Sequence, residues 1–108
     1  MLKSLLSSSY YGQQIRILGS NTGSATPIHS VTMGGTDEIW LYAYNSDAMV
    51  QYLTVCCGGT ASYNCVSIPL YPHVRTMVLD GMVLANGLTI SAYAPATTIM
   101  VDGFVNNL

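Results

Sequence analysis

The sequence predicts an all-β fold, an antiparallel sandwich of jelly-roll-like or immunoglobulin-like type. Three observations predict it. Apolar and polar residues alternate with period two over most of the chain. Turn residues interrupt that alternation every 8–12 residues or so. No stretch beyond the first few residues keeps a helical period. At 108 residues the chain is one domain's worth. We divide it into an N-terminal arm, residues 1–13, and a sandwich domain, residues 14–108.

The elements follow in order. Leu2, Leu5 and Leu6 have helical spacing, so the arm is expected to form a short helical turn or an extended anchor. It lacks the continuous apolar core of a signal peptide and reads as part of the mature chain. Gln14 to Leu18 is a first short strand, and Ser20 to Ser24 a loop. Ile28 to Met33 is a second strand, closed by Gly34-Gly35-Thr36-Asp37. Glu38 to Asn45 alternates most clearly: Ile39, Leu41 and Ala43 on one face, Trp40, Tyr42 and Tyr44 on the other. Asn45-Ser46-Asp47 turns the chain, and Val50 to Cys57 is expected to return as its antiparallel partner, with Leu53 and Val55 inward.

Cys65 to Leu70 is shorter, and Pro69 and Pro72 suggest an edge or an exit into a loop. Arg75 to Leu79 comes next. Asp80-Gly81 reads as a tight turn, Met82 to Leu84 continues, and Asn86-Gly87 reads as another turn. Leu88 to Ala94 places Leu88, Ile90 and Ala92 on one side. The last strand, Thr98 to Val105, turns Ile99, Val101, Gly103 and Val105 inward, and Asp102 outward with Met100 and Phe104.

Charge is scarce. Only Lys3, Arg16, Asp37, Glu38, Asp47, Arg75, Asp80 and Asp102 carry it, 7% of the chain against about 25% in an ordinary domain. Free monomers use charge to stay soluble. A chain that dispenses with it is expected to be covered by partners. Three scattered cations cannot neutralise a run of phosphates, which excludes nucleic acid. The apolar runs fall far short of a membrane-spanning helix.

The chemistry-bearing residues are few. His29 lies mid-strand and His73 in a proline loop. Cys65 with His73 would make a thiol–imidazole pair, but nothing nearby would activate the thiol. Cys56, Cys57, Cys65 and His73 lack the knuckle spacing of a zinc site, since adjacent strand residues point to opposite faces. A disulfide from Cys65 to Cys56 or Cys57 can span a hairpin. The simpler expectation is three small apolar residues in a reducing cytosol. No cofactor, no metal and no catalysis are expected.

The aromatic row is the more informative feature. Trp40, Tyr42 and Tyr44 share a strand face, and Tyr52, Tyr93 and Phe104 are outward by the same alternation. These residues form either a contact face, since Trp and Tyr concentrate at interface centres, or the core itself if the faces are reversed. A carbohydrate platform is a third reading, disfavoured by the few Asp, Asn and Arg near the row in sequence. With Leu2, Leu5, Leu6, Tyr10 and Tyr11 of the arm, they are the candidate oligomer or partner interface.

The run Gly34-Gly35-Thr36-Asp37-Glu38-Ile39-Trp40-Leu41-Tyr42-Ala43-Tyr44-Asn45, with Leu53-Thr54-Val55, Gly58-Gly59-Thr60, Leu84 to Gly87, Ala92-Tyr93-Ala94 and Gly103-Phe104-Val105-Asn106, resembles small β-sandwich decoration, or cement, proteins of tailed bacteriophages. The resemblance covers residues 28 to 108. It implies a homotrimer, made in the host cytoplasm, that binds the major capsid protein on the outside of the virion and stabilises the shell without catalysis. The Cys56-Cys57 pair departs from that pattern, and the arm has no counterpart in it. The alternatives are another virion component (fibre, tail or head-tip protein) or a carbohydrate-binding attachment module.

Overall fold

A computed structural model describes residues 2–108. Among the described residues, nine strands form two antiparallel sheets packed face to face. They are β1 Leu2–Leu5, β2 Ile15–Arg16, β3 Thr26–Ser30, β4 Thr36–Asn45, β5 Gln51–Cys57, β6 Cys65–Leu70, β7 Arg75–Ala85, β8 Thr89–Tyr93 and β9 Ile99–Asn107. Sheet A runs β1-β9-β4-β7, with β2 also on β9, and sheet B runs β3-β8-β5-β6. The antiparallel pairs nest as β2–β9, β3–β8, β4–β7 and β5–β6. One long hairpin has thus been wrapped around a common core, which is the jelly-roll arrangement.

The nesting corrects one expectation. β5 does not return beside β4. It crosses to sheet B, and β4 pairs with β7 and β9 instead. The turn at Asn45-Ser46-Asp47 is real, but it joins two sheets. Local alternation marks a strand's faces without naming its neighbour.

Alternation does place the core. Ile39, Leu41 and Ala43 of β4 are buried with Ile99, Val101 and Val105 of β9. Leu53 and Val55 of β5 and Ile90 and Ala92 of β8 meet them from sheet B. Each fully buried Leu or Ile contributes about 1.5–3 kcal/mol. Leu88, expected inward, lies in the turn before β8 and is 44% exposed.

One further expectation changes and another is settled. Asp80-Gly81 is no turn: Gly81 sits inside β7 as a bulge opposite Ile39 and Trp40, at φ +92°. Val78 makes a second bulge opposite Leu41 and Tyr42. A DG pair signals a turn only where the backbone lacks a better use for positive φ. Of the two forms expected for the arm, the extended one is found, and it belongs to sheet A. Residues 2–5 pair with Phe104–Asn107 of β9, and Leu6 is 1% exposed in the core.

Candidate functional site

Strand pairing concentrates charge on one face. Lys3 lies opposite Asn106, Arg16 opposite Met100, Asp80 opposite Trp40, Arg75 opposite Tyr44, and Asp102 opposite Tyr42. Directly paired residues share a face. With Glu38, six of the eight charged residues therefore stand on the outer face of sheet A. Of the other two, Asp37 is buried and Asp47, in the β4–β5 turn, accepts from Gln51 Nε2 at 2.7 Å. The outer face of sheet B carries none. It is built from Tyr52, Thr54, Ser67, Pro69, Ser91 and Tyr93 beside a cross-strand disulfide.

The sheet A face is internally tied. Lys3 Nζ lies 4.1 Å from the centroid of the Phe104 ring, and Phe104 lies near-parallel to Trp40 at 6.1 Å. The Arg75 guanidinium lies 4.1 Å from the Tyr42 ring centroid and donates to both Asp102 oxygens, at 3.1 and 2.9 Å. Tyr44 Oη is 3.3 Å from His73 Nδ1. Trp40 Nε1–H and Asn106 Nδ2 each donate to Glu38 Oε1 at 2.9 Å. These bonds hold the Glu38 carboxyl below its ordinary value, Trp40 contributing most.

The sign of that shift fixes a pH effect. A carboxyl whose folded value is lowered stabilises the fold above its unfolded value, and the contribution fades as pH falls through the folded one. We therefore expect the fluorescence of Trp40, the only tryptophan, to change on acidification below about pH 4.5. Glu38→Gln should abolish that transition, read in an acid titration against wild type.

The candidate residues of the sequence fall in different places. Trp40, Tyr42, Tyr44, Phe104 and Leu5 share the outer face of sheet A, whereas Tyr52 and Tyr93 lie on the outer face of sheet B. Tyr10 and Tyr11 are exposed in the β1–β2 loop, packed edge to face at 4.6 Å. Leu2 is 74% exposed at the edge. Leu6 presents no area to a partner because its own core covers it. The expected shortage of Asp, Asn and Arg around the aromatic row is also corrected. Arg75, Asp102 and Asn106 are remote in sequence from Trp40 but adjacent across strands. The cations over Phe104 and Tyr42 occupy ring faces on which a sugar would stack.

Both histidines have side-chain or backbone partners. His29 Nδ1 accepts the Ser7 N–H at 3.0 Å, so the ring proton sits on Nε2, which donates to Asp37 Oδ2 at 2.7 Å. Asn107 Nδ2 donates to the other Asp37 oxygen at 2.8 Å, and Ser7 Oγ accepts from the Ser30 N–H at 2.7 Å. Ser, His and Asp meet here, yet the Ser7 hydroxyl does not touch the imidazole and the pair is buried. The cluster clasps the β1–β2 loop to β3 and β4. His73 faces Tyr44, and Cys65 is bonded to Cys56. Among the described residues no group of three or more His, Cys, Asp or Glu could hold a metal ion, and no helix is long and apolar enough to cross a membrane.

The cysteines differ from the simpler expectation. Cys56 and Cys65, directly opposite in the β5–β6 hairpin, form a disulfide, and Cys57 is free. Cys57 faces the opposite way, into an apolar cleft of about 320 Å³ between β6 and β7 that Val55, Val66, Ile68, Val78 and Met82 also line. Burial pushes its thiol up, which slows its reaction with alkylating reagents. We expect one slow thiol in the folded, unreduced protein and three fast ones after reduction and unfolding, counted by thiol titration. Closing a loop of this length stabilises by about 2–3 kcal/mol in the chain-entropy picture. Denaturant midpoints with and without reductant test that figure.

Fold and surface define this protein as a jelly roll with one charge-bearing and one charge-free outer face. Compared with protein-family models, curated proteins and solved structures, the chain matches none of them.

Proposed function

We propose that this chain is a structural, non-catalytic subunit of a virion, a decoration protein that binds the outside of a phage capsid and bridges major capsid subunits as a homotrimer. The observation that carries the reading is the charge partition. All charge outside the interior and one turn stands on sheet A, leaving the outer face of sheet B with Tyr52, Tyr93 and small hydroxyl or proline side chains. Such a face loses little on desolvation, while the charged face keeps the exterior wet. Large side chains such as Met49, Tyr71 and Val74 are exposed beyond it. The jelly roll is a common architecture of viral capsid and lectin domains, which supports the reading by fold analogy. The family itself comes from the sequence resemblance.

Mechanically, each copy would bury several hundred Å² of apolar surface at about 25 cal/mol per Å². Repeated over a shell, that area resists separation of the capsid subunits. The test is a copy count on purified particles together with rebinding of the isolated protein to stripped shells. Hundreds of copies per particle are expected, with binding lost in Tyr52→Asp and retained in Asp102→Asn. A handful of copies would favour a tail or fibre part. Binding to a glycan array with no binding to shells would favour the attachment module.

A further inference from the structure

Sheet A is bordered by β1 and the two-residue β2 on one side and by β7 on the other, and the outer edges of β1 and β7 pair with nothing among the described residues. Both edges of sheet B carry a proline, Pro27 in β3 and Pro69 in β6. Proline on an edge blocks pairing with another chain, and neither β1 nor β7 has one. One pair of edges is thus closed and the other left open.

The two open edges match in charge, hydrophobicity and facing. On β1, Lys3 and Leu5 face outward, opposite Asn106 and Phe104, while Leu2 and Ser4 face the inner side, opposite Asn107 and Val105. On β7, Asp80 and Met77 face outward, opposite Trp40 and Tyr42, while Leu79 and Met82 face inward, opposite Leu41 and Ile39. Asp80 is exposed and has no ionic or hydrogen-bonded partner among the described residues. An incoming β1 that follows the register β4 already uses would set Lys3 against Asp80, Ser4 against Leu79 and Leu5 against Met77. Leu2 would fall against Met82, at the cleft that Val78, Leu79 and Met82 line. Leu5 and Met77 are about half exposed in the single chain, at 52% and 51%.

We propose that β1 of one copy adds, antiparallel, to β7 of a second copy, with Lys3 paired to the second copy's Asp80 and Leu2 seated at its β6–β7 cleft. The contact is head-to-tail, so each copy offers one edge of each kind, and the rotation between copies decides whether a ring closes. It deepens the self-association part of the proposed function and does not depend on the capsid.

Sedimentation velocity on the purified full chain tests it, with circular dichroism confirming that each variant is folded. Lys3→Glu and Asp80→Lys should each weaken association on the order of tenfold, by turning an attraction into a repulsion. The double variant, with the charges exchanged, should recover most of the loss. Leu2→Ser, at a side chain outside the core, should weaken association without changing the midpoint of unfolding measured on dilute protein. A wild-type chain that stays monomeric at roughly millimolar concentration overturns the proposal. So does association indifferent to both reversals, or a double variant no better than the single ones. A wild-type chain that binds shells without associating with itself in solution would sink the edge contact alone and leave the capsid reading standing.

Discussion

Alanine at Gly103 is expected to prevent folding or to cost on the order of 4 kcal/mol or more, among the largest effects of any single methyl group. Gly103 pairs with Leu41 where β9 runs beside β4. A Cβ there would overlap the Trp40 carbonyl oxygen and stand 3.0 Å from its carbon. Both are backbone atoms of the central strand pair, so no side-chain rotation relieves the overlap. β9 would have to peel from β4, and β1 and β2, which both lean on β9, would lose their support. Gly34→Ala is the control. Nothing lies within 4 Å of its added Cβ, and its positive φ of +82° costs only about 1–2 kcal/mol. Chemical denaturation of both variants checks the contrast. A Gly103→Ala protein as stable as Gly34→Ala would mean that the two strands separate at that point at little cost.

Asn45→Ala is expected to cost about 3–5 kcal/mol, well beyond a usual turn substitution. Asn45 is 0% exposed and uses all four of its hydrogen-bonding positions. Its amide donates to the Met49 and Leu70 carbonyls at 2.9 and 3.0 Å. Its oxygen accepts from the Asp47 N–H at 2.9 Å and from Thr98 Oγ1 at 3.2 Å. One side chain thereby joins the end of β4, the β4–β5 turn, the end of β6 and the entry to β9. Alanine would strand several of those groups without partners in a region closed to water. Asn45→Asp should be nearly as harmful, because it turns a carboxylate oxygen toward two carbonyl oxygens. Loss of hydrogen-exchange protection in the two sheets together, and not in the turn alone, would show that the residue couples them.

These two residues show where reading the sequence stops. Gly103 was legible as an inward position of the last strand. Nothing in its neighbours reports that the carbonyl of Trp40 comes so close. Asn45 was legible as a turn residue, because Asn favours turns for local reasons. Besides the local bond from Asp47, two residues on, its partners lie four, twenty-five and fifty-three residues away. Alternation separates the two faces of the aromatic strand but leaves open which one is inward, and the structure decides it by burying Ile39, Leu41 and Ala43. The charged surround of the aromatic row was not legible, because Arg75 and Asp102 reach Tyr42 only through cross-strand pairing.

The β1 strand marks the same limit from another side. Leu2, Leu5 and Leu6 suggest a helical turn by their spacing. The edge of β9 offers backbone hydrogen bonds along four residues instead, and a four-residue helix cannot match that gain against its nucleation cost. The cysteines repeat the lesson. Their spacing allows Cys65 to reach either neighbour, and only the register of β5 on β6 sets Cys56 opposite it.

Period-two alternation and frequent turns determine by themselves an all-β sandwich, because the pleat has a period of two and each strand must hide one face. The scarcity of charge is equally a property of the sequence alone. Which strands lie side by side was decided by the tertiary structure, because pairing between distant segments depends on the whole wrapped hairpin. That pairing gathers six scattered charges onto one sheet and clears them from the other. It makes the jelly roll two-faced, and leaves β1 and β7 as its open edges.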